Sequence, residues 1–180
     1  KSPSNTSSDV SQFFVFIIFL KYLKDLLIIF STKTLVQEEL TFSLANCHPS
    51  RLLDYFSHSK VLPKYFKFLT GIEIMDEVNY IAEFLVKLGF IPIRFKFKQT
   101  VSRGITMIQH EGNMNRPRAW WRFTVEIPNY SDTQLTVECK VILRGEYKGA
   151  FEWFAHSPMR EFLENMRPAI QTNRIEIFAV

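Results

Sequence analysis

The sequence predicts an α+β fold, a curved antiparallel sheet of about six to seven strands closed around one long C-terminal helix. Residues 149–170, GAFEWFAHSPMREFLENMRPAI, place Ala150, Phe151, Phe154, Ala155, Met159, Phe162, Leu163, Met166, Ala169 and Ile170 at steps of three and four, which is one stripe of a helix. Residues 72–144 read almost wholly as alternating apolar and polar side chains, the pattern of strands with one wet and one buried face. A helical stripe and a set of inward strand faces each need a partner, and each supplies the other's. Pro158 falls inside the helix, removes an amide donor and presses on the preceding turn, so a kink is expected there.

Bulk properties bound the function. A chain of 180 residues is one domain with room for a sizeable core. At 47% hydrophobic residues, 18 phenylalanines and 22% charged residues, it is neither a disordered tail nor a polyelectrolyte. The net charge of +4 is too mild to single out nucleic acid or an acidic membrane as partner. Cys47 and Cys139 are isolated, which argues against a disulfide framework and for a reducing, cytoplasmic setting.

The chain divides into a leading segment 1–36, a ligand-binding domain 37–172 and a tail 173–180. Residues 1–12 are small and polar without periodicity, and disorder is expected of them. The missing initiator Met points to a fragment or an alternative start codon. Residues 13–30 are apolar except for Lys21, Lys24 and Asp25 near their centre. Each strongly apolar residue contributes roughly −0.3 to −0.6 kcal/mol to membrane insertion and each central charge costs about 2.5 to 3.5 kcal/mol, so a span is not favoured. A signal peptide fits poorly, with no basic region before the apolar run and no small-residue cleavage site after it. Three readings stay open: an interfacial helix on lipid, peripheral to the inner face of the cell membrane with Lys21 and Lys24 in the headgroups; a helix docked on the domain; or sequence foreign to the mature protein.

From Gln37 the alternation of Leu40, Phe42 and Leu44 with Glu39, Thr41 and Ser43 predicts a half-buried strand. Residues 46–49 turn the chain into a helix with Pro49 in its first turn and Leu52, Leu53 and Phe56 as its apolar side. A second helical stretch, 62–68, is expected to end at Gly71. The hairpin 80–98 follows, then a weaker strand candidate at 105–110, a strand carrying Trp121, Phe123, Val125 and Ile127, the turn NYSDT at 129–133, and a strand carrying Leu135, Val137, Cys139, Val141 and Leu143.

The inward sets suggest a pocket. Tyr80, Phe84, Phe95, Phe97, Met107, Trp121, Phe123 and Cys139 on the strands face Phe154, Met159, Phe162 and Met166 on the helix. Aromatic planes and adaptable methionines suit an apolar ligand, and they suit a solid core equally well.

The segment LTFSLANCHPSRLLDYFSHSKVLPKYF, the hairpin YIAEFLVKLGFIPIRFKFKQTV and the lead LRGEYKGAFEWFAHSPMREFLENM into the last helix resemble the START-like (SRPBCC) superfamily and its helix-grip fold, most nearly the family of G-type accessory proteins of carbon monoxide dehydrogenase. The likeness covers roughly residues 38–170. Residues 64–71 stand where that family carries a proline-glycine signature, and the apolar extension here is N-terminal. The resemblance implies an intracellular pocket for a lipid, a quinone or an aromatic ligand, no tightly bound cofactor, and a molybdenum hydroxylase as partner at the membrane.

Signals for catalysis are few. His48, His58, His110 and His156 lack metal-site spacing, and neither a glycine-rich loop nor a nucleophile elbow is present. The histidines read as surface or satisfied residues, and Cys139 as a small core hydrophobe. No catalytic residue and no metal ligand can be named, although the superfamily includes cyclases and hydrolases. Arg94, Lys96 and Lys98, and Arg116, Arg118 and Arg122 around Trp120, could stack single-stranded nucleic acid. Solvated strand faces paired with Glu73, Glu83, Glu126 and Glu138 explain them better, so nucleic acid is not an expected partner. The expectation is a non-catalytic carrier of a hydrophobic ligand, with an enzyme using the same pocket and a scaffold without ligand as alternatives.

Overall fold

The structure, a computed structural model, describes residues 35–88, 91–115, 118–128, 136–149 and 152–171. The expectations for residues 1–34, the turn at 129–133 and the tail lie outside these. Strand β1 (Val36–Cys47) leads into helix α1 (Pro49–Ser57), a 3₁₀ turn (Ser59–Val61) and the short helix α2 (Leu62–Tyr65). Strands β2 (Leu69–Ile74), β3 (Asn79–Leu88), β4 (Ile91–Arg103), β5 (Met107–Asn115), β6 (Arg118–Glu126) and β7 (Thr136–Gly149) follow, and helix α3 (Glu152–Gln171) closes the described chain. All seven strands form one antiparallel sheet in the order β1-β7-β6-β5-β4-β3-β2. Consecutive strands pair as hairpins, and β1 reaches its place at the edge by pairing with the last strand. This is the helix-grip architecture.

Strand alternation sorts the side chains. Tyr80, Ala82, Phe84, Phe95, Phe97, Ile108, Trp121, Phe123, Val125, Val141 and Leu143 are buried on the inner face. Helix α3 buries Ala155, Met159, Phe162, Leu163, Met166 and Ile170 at its three-and-four spacing, and it packs mainly on β1 and β7. Of the remaining strands, β4 and β5 pack mainly against α1 and β2 against α2, while Phe123 of β6 touches Phe162 of α3. A single helix is about as wide as two strands, because helix diameter is roughly 10–12 Å and strand spacing about 4.8 Å. The expectation that every inward face meets the long helix is therefore corrected. Pro49 does start α1, and Leu52, Leu53 and Phe56 are its buried side.

Three boundaries depart from expectation. The second helix is only Leu62–Tyr65, and the residues after it form the edge strand β2, with Gly71 at a shift of register against β3 rather than at a helix end. Pairing with β3 satisfies backbone groups that a short, weakly amphipathic helix would leave to water. Strand β5 runs two residues later than expected at its start and continues to Asn115. Strand β7 runs on to Gly149, which adopts φ of 76°, and α3 begins only at Glu152.

Gly149 has no room for a side chain, since a Cβ there would run into the Arg118 carbonyl oxygen. Both its left-handed backbone and this contact oppose any larger residue. Gly149→Ala is expected to cost roughly 1–3 kcal/mol, read from the urea unfolding midpoint; an unchanged midpoint would show that the strand end rearranges freely.

Candidate functional site

One row of residues crosses the inner face from strand to strand. Tyr80 on β3 is opposite Gln99 on β4, Gln99 opposite Gly112 on β5, Gly112 opposite Trp121 on β6, and Trp121 opposite Tyr147 on β7. A second row places Val101, His110, Phe123 and Gly145 beside it. Glycine leaves a gap in each row. At Gly145 the gap is taken by Met159 of α3, whose Sδ and Cγ occupy the place where a Cβ would stand. At Gly112 the gap is overhung by Gln99 Nε2 and Trp121 Nε1, both crowding the point that a Cβ would take.

The aromatic side chains around these rows touch one another. Phe66, just after α2, lies parallel to the Trp121 indole with centroids 6.2 Å apart and meets Phe162 edge-on at 4.8 Å. Phe162 meets Phe123 at 4.9 Å, and Phe84 contacts Phe97 and Trp121, both at 5.3 Å. The expected lining residues Tyr80, Phe84, Phe95, Phe97, Trp121, Phe123, Cys139, Met159, Phe162 and Met166 are all buried. Cys139 lies toward β1, opposite Leu44, and interacts with Cys47. Met107 is the correction: it is 36% exposed, because Ile108 and His110 take the inward parity of β5 and leave residue 107 on the outer face. The Phe154 side chain lies outside the described ones.

A polar chain runs through this interior. The Tyr80 hydroxyl donates to His110 Nδ1 at 2.9 Å, and His110 Nε2 donates to the Phe56 carbonyl at 2.6 Å. A carbonyl only accepts, so Nε2 carries a proton; burial keeps a second proton off the ring, so Nδ1 accepts from the phenol and the imidazole is neutral. Burial pushes the His110 pKa down to about 4 and the Tyr80 phenol up. Gln99 is 2% exposed and Trp121 1%, yet both amide atoms of Gln99 and the indole nitrogen of Trp121 have no hydrogen-bond partner among the described residues. Each such orphan costs about 1–3 kcal/mol.

Access is from one end of the sheet. A cleft of about 310 Å³ is lined by residues 57–60, the β2–β3 turn and Val101, and it reaches Tyr80. The turn is built by Asp76, whose carboxylate accepts from the Val78 and Asn79 amides at 2.9 and 2.7 Å and from the Asn79 side chain. Those bonds, led by the Asn79 side chain, hold the Asp76 carboxyl below its usual range. Ile74, Met75 and Val78 stand exposed at this turn, and Ile105 on the neighbouring β4–β5 turn.

His156 Nδ1 meets Glu38 at 2.7 Å and the Tyr147 hydroxyl at 3.0 Å, tying α3 to the sheet edge. The Cys139 thiol hydrogen-bonded to Cys47, together with burial, pushes the Cys47 thiol up, away from thiolate reactivity. Among the described residues no cluster could hold a metal ion, and no helix is long and apolar enough to cross a membrane. On the outer face Glu83 pairs with Arg94 and Lys96, Arg122 with Glu111 and Glu146, and Arg144 with Glu39 and Glu126. Of the arginines considered for nucleic acid, Arg94 and Arg122 are thus engaged by glutamates.

Gln99 and His110 escaped the sequence reading as site residues. The signal for Gln99 was present, since it continues the inward parity of Phe95 and Phe97. No family model matches the chain, and no curated protein matches its sequence. Solved structures do resemble it. A Deinococcus radiodurans protein superposes with TM-score 0.53 at 12% identity, over 78% of this chain and 97% of that one. A conserved protein from Geobacillus kaustophilus gives 0.50 at 10% identity, over 75% and 95%. A hypothetical protein from Sulfolobus tokodaii gives 0.50 at 12%, over 73% and 87%. At such identities the likeness is one of fold alone: a curved antiparallel sheet with a C-terminal helix.

Two outcomes are expected. Gln99→Leu removes two orphan polar atoms and should raise stability by about 1 kcal/mol; a loss would mean that the amide is satisfied. For His110, the folded state resists protonation, so the unfolded chain binds more protons between about pH 6.5 and 4. Stability should therefore fall as pH drops through that window, by about 3 kcal/mol at most, and level off below it. Urea unfolding of the protein and of His110→Gln across pH 4–7 checks this, the variant losing that part of the slope.

Proposed function

We propose that the chain is a non-catalytic carrier of a hydrophobic, lipid-like or quinone-like ligand, held on the inner face of the sheet against α3. The observation that carries this reading is the cleft that ends on Tyr80, the outermost member of an otherwise sealed aromatic and polar row. Because the rings beyond it touch, a guest is accommodated by exchanging ring-to-ring contacts for ring-to-ligand contacts, which leaves the buried apolar area nearly unchanged. The apolar residues exposed at the mouth suit transfer from a lipid surface.

In its finer form, the carrier is an accessory to a molybdenum hydroxylase such as carbon monoxide dehydrogenase, cytoplasmic and peripheral to the membrane through residues 13–30. The support is the resemblance of residues 38–170 to the G-type accessory proteins of that enzyme and the apolar character of residues 13–30. Organic extraction and mass spectrometry of the purified full chain test the carrier. A stoichiometric isoprenoid or lipid is expected, and a repeatedly empty extract removes the proposal. Phe162→Ala should lose ligand and roughly 3–5 kcal/mol of stability together.

One observation favours a second reading, a START-like enzyme of cyclase or hydrolase type. The Tyr80–His110 pair places a phenolic proton beside a neutral imidazole acceptor at the end of the cleft. Turnover of a small aromatic substrate, abolished in Tyr80→Phe while ligand content is retained, would favour the enzyme over the carrier.

A further inference from the structure

Taking the chain as a carrier, we infer that the tips of the β2–β3 and β4–β5 turns are its docking surface for a neutral, zwitterionic lipid bilayer, with Met75, Val78 and Ile105 entering the headgroup boundary beside the cleft. Among the described residues the exposed large apolar side chains are Ile74, Met75, Val78, Ile105 and Met107 at this end of the sheet, and Leu35 at the other. Ile105 is 81% exposed and Met75 59%. The two turns are neighbours, since the Val101 amide, on the strand that leads to the second, donates to the Val78 carbonyl at 2.7 Å. Ile74 also lines the cleft, so the apolar tips stand at its rim.

The backbone of both turns is bonded from within. The Met75 and Asp76 amides donate to the Asn79 carbonyl at 3.0 and 3.1 Å, and the Val78 and Asn79 amides to the Asp76 carboxylate. In the second turn the Gly104 amide donates to the Met107 carbonyl, and the Thr106 carbonyl accepts from the Ile127 amide, both at 2.8 Å. Groups paired in this way lose little on leaving water, whereas free ones carry a desolvation cost. Apolar side chains standing outward over such a backbone suit the lipid boundary. They are too few for the apolar centre of a stable protein interface, which takes about 800 Å² from each side. Charge does not favour an acidic membrane either. Asp76 and Glu77 share the first turn, and the nearby cations are Lys60 across the cleft and Arg103, which pairs with Asp54. With both signs present at the mouth, the lipid that fits carries no net charge.

The test is co-sedimentation of the full chain with phosphatidylcholine vesicles at neutral pH, beside the double variant Met75→Asp with Ile105→Asp. The variant should partition at least about tenfold more weakly, its urea midpoint unchanged because both positions are exposed. Adding phosphatidylserine or raising the salt should alter binding by less than about threefold. A polarity-sensitive dye on Ile105→Cys, selective because Cys47 and Cys139 are buried, should shift to the blue on vesicles, and the same dye on Lys98→Cys of the outer face should not. That readout stands even if the double variant fails to fold. Equal binding by the double variant would place the contact elsewhere, as residues 13–30 would provide, and overturns the turns as docking surface. Binding that requires phosphatidylserine overturns the neutral bilayer. A dimer in solution that the double variant separates gives the patch to a second copy and overturns the lipid assignment. If neither vesicle is bound the surface falls, and the organic extraction of the purified chain decides separately whether the carrier stands.

Discussion

The ring of Phe162 joins three parts of the chain that are otherwise held by separate contacts. It projects from α3, meets Phe66 from the segment after α2, and meets Phe123 from the middle of the sheet. Helix α3 packs on β1 and β7, whereas α1 and α2 attend to the strands at the other end. Phe162 and Phe66 bridge these two coverings, so the interior under both is continuous. An ion pair between Lys67 and Glu161 closes the same seam at the surface, where solvent limits its contribution. The apolar contact therefore governs how firmly the sheet is closed.

Within that apolar shell the polar groups are few and neutral. The Tyr80–His110–Phe56 chain satisfies all its members, while Gln99 and Trp121, in the same row as Tyr80, have no partner among the described residues. The difference is informative because a finished core removes orphan donors or pairs them. Here Gln99 and Trp121 meet over one glycine, and Thr124 is a further such group elsewhere in the sheet. Glycine has opposite consequences at two points of the inner face: Met159 fills the space at Gly145, and polar heads overhang the space at Gly112.

The outer face follows a different rule. Arg122 and Arg144 each lie between glutamates on neighbouring strands, and Trp120 donates to Glu111 under the Arg122 guanidinium, which stands 4.9 Å from the indole centroid. Such pairs are worth about 0–1 kcal/mol each in water.

Much of this was legible in the order of residues. The period of two in 36–47, 79–103 and 118–126 and the three-and-four spacing after residue 154 follow from local geometry, so strand identity, inward parity and the helix stripe could be read directly. Met107 was misplaced because an isolated Met carries no parity until the strand boundaries are known. Residues 69–71, the start of β2, were misplaced because an edge strand gains its hydrogen bonds from a neighbour, which no local pattern announces. Gln99 and His110 became site residues only through register: the pairing of β3 through β6 sets Tyr80, Gln99, Gly112 and Trp121 in one line, though they are distant in sequence. Local chemistry thus determined which side of each element faces inward. Tertiary pairing alone decided which inward groups meet and which stay without a partner, because that depends on contacts between strands rather than within them.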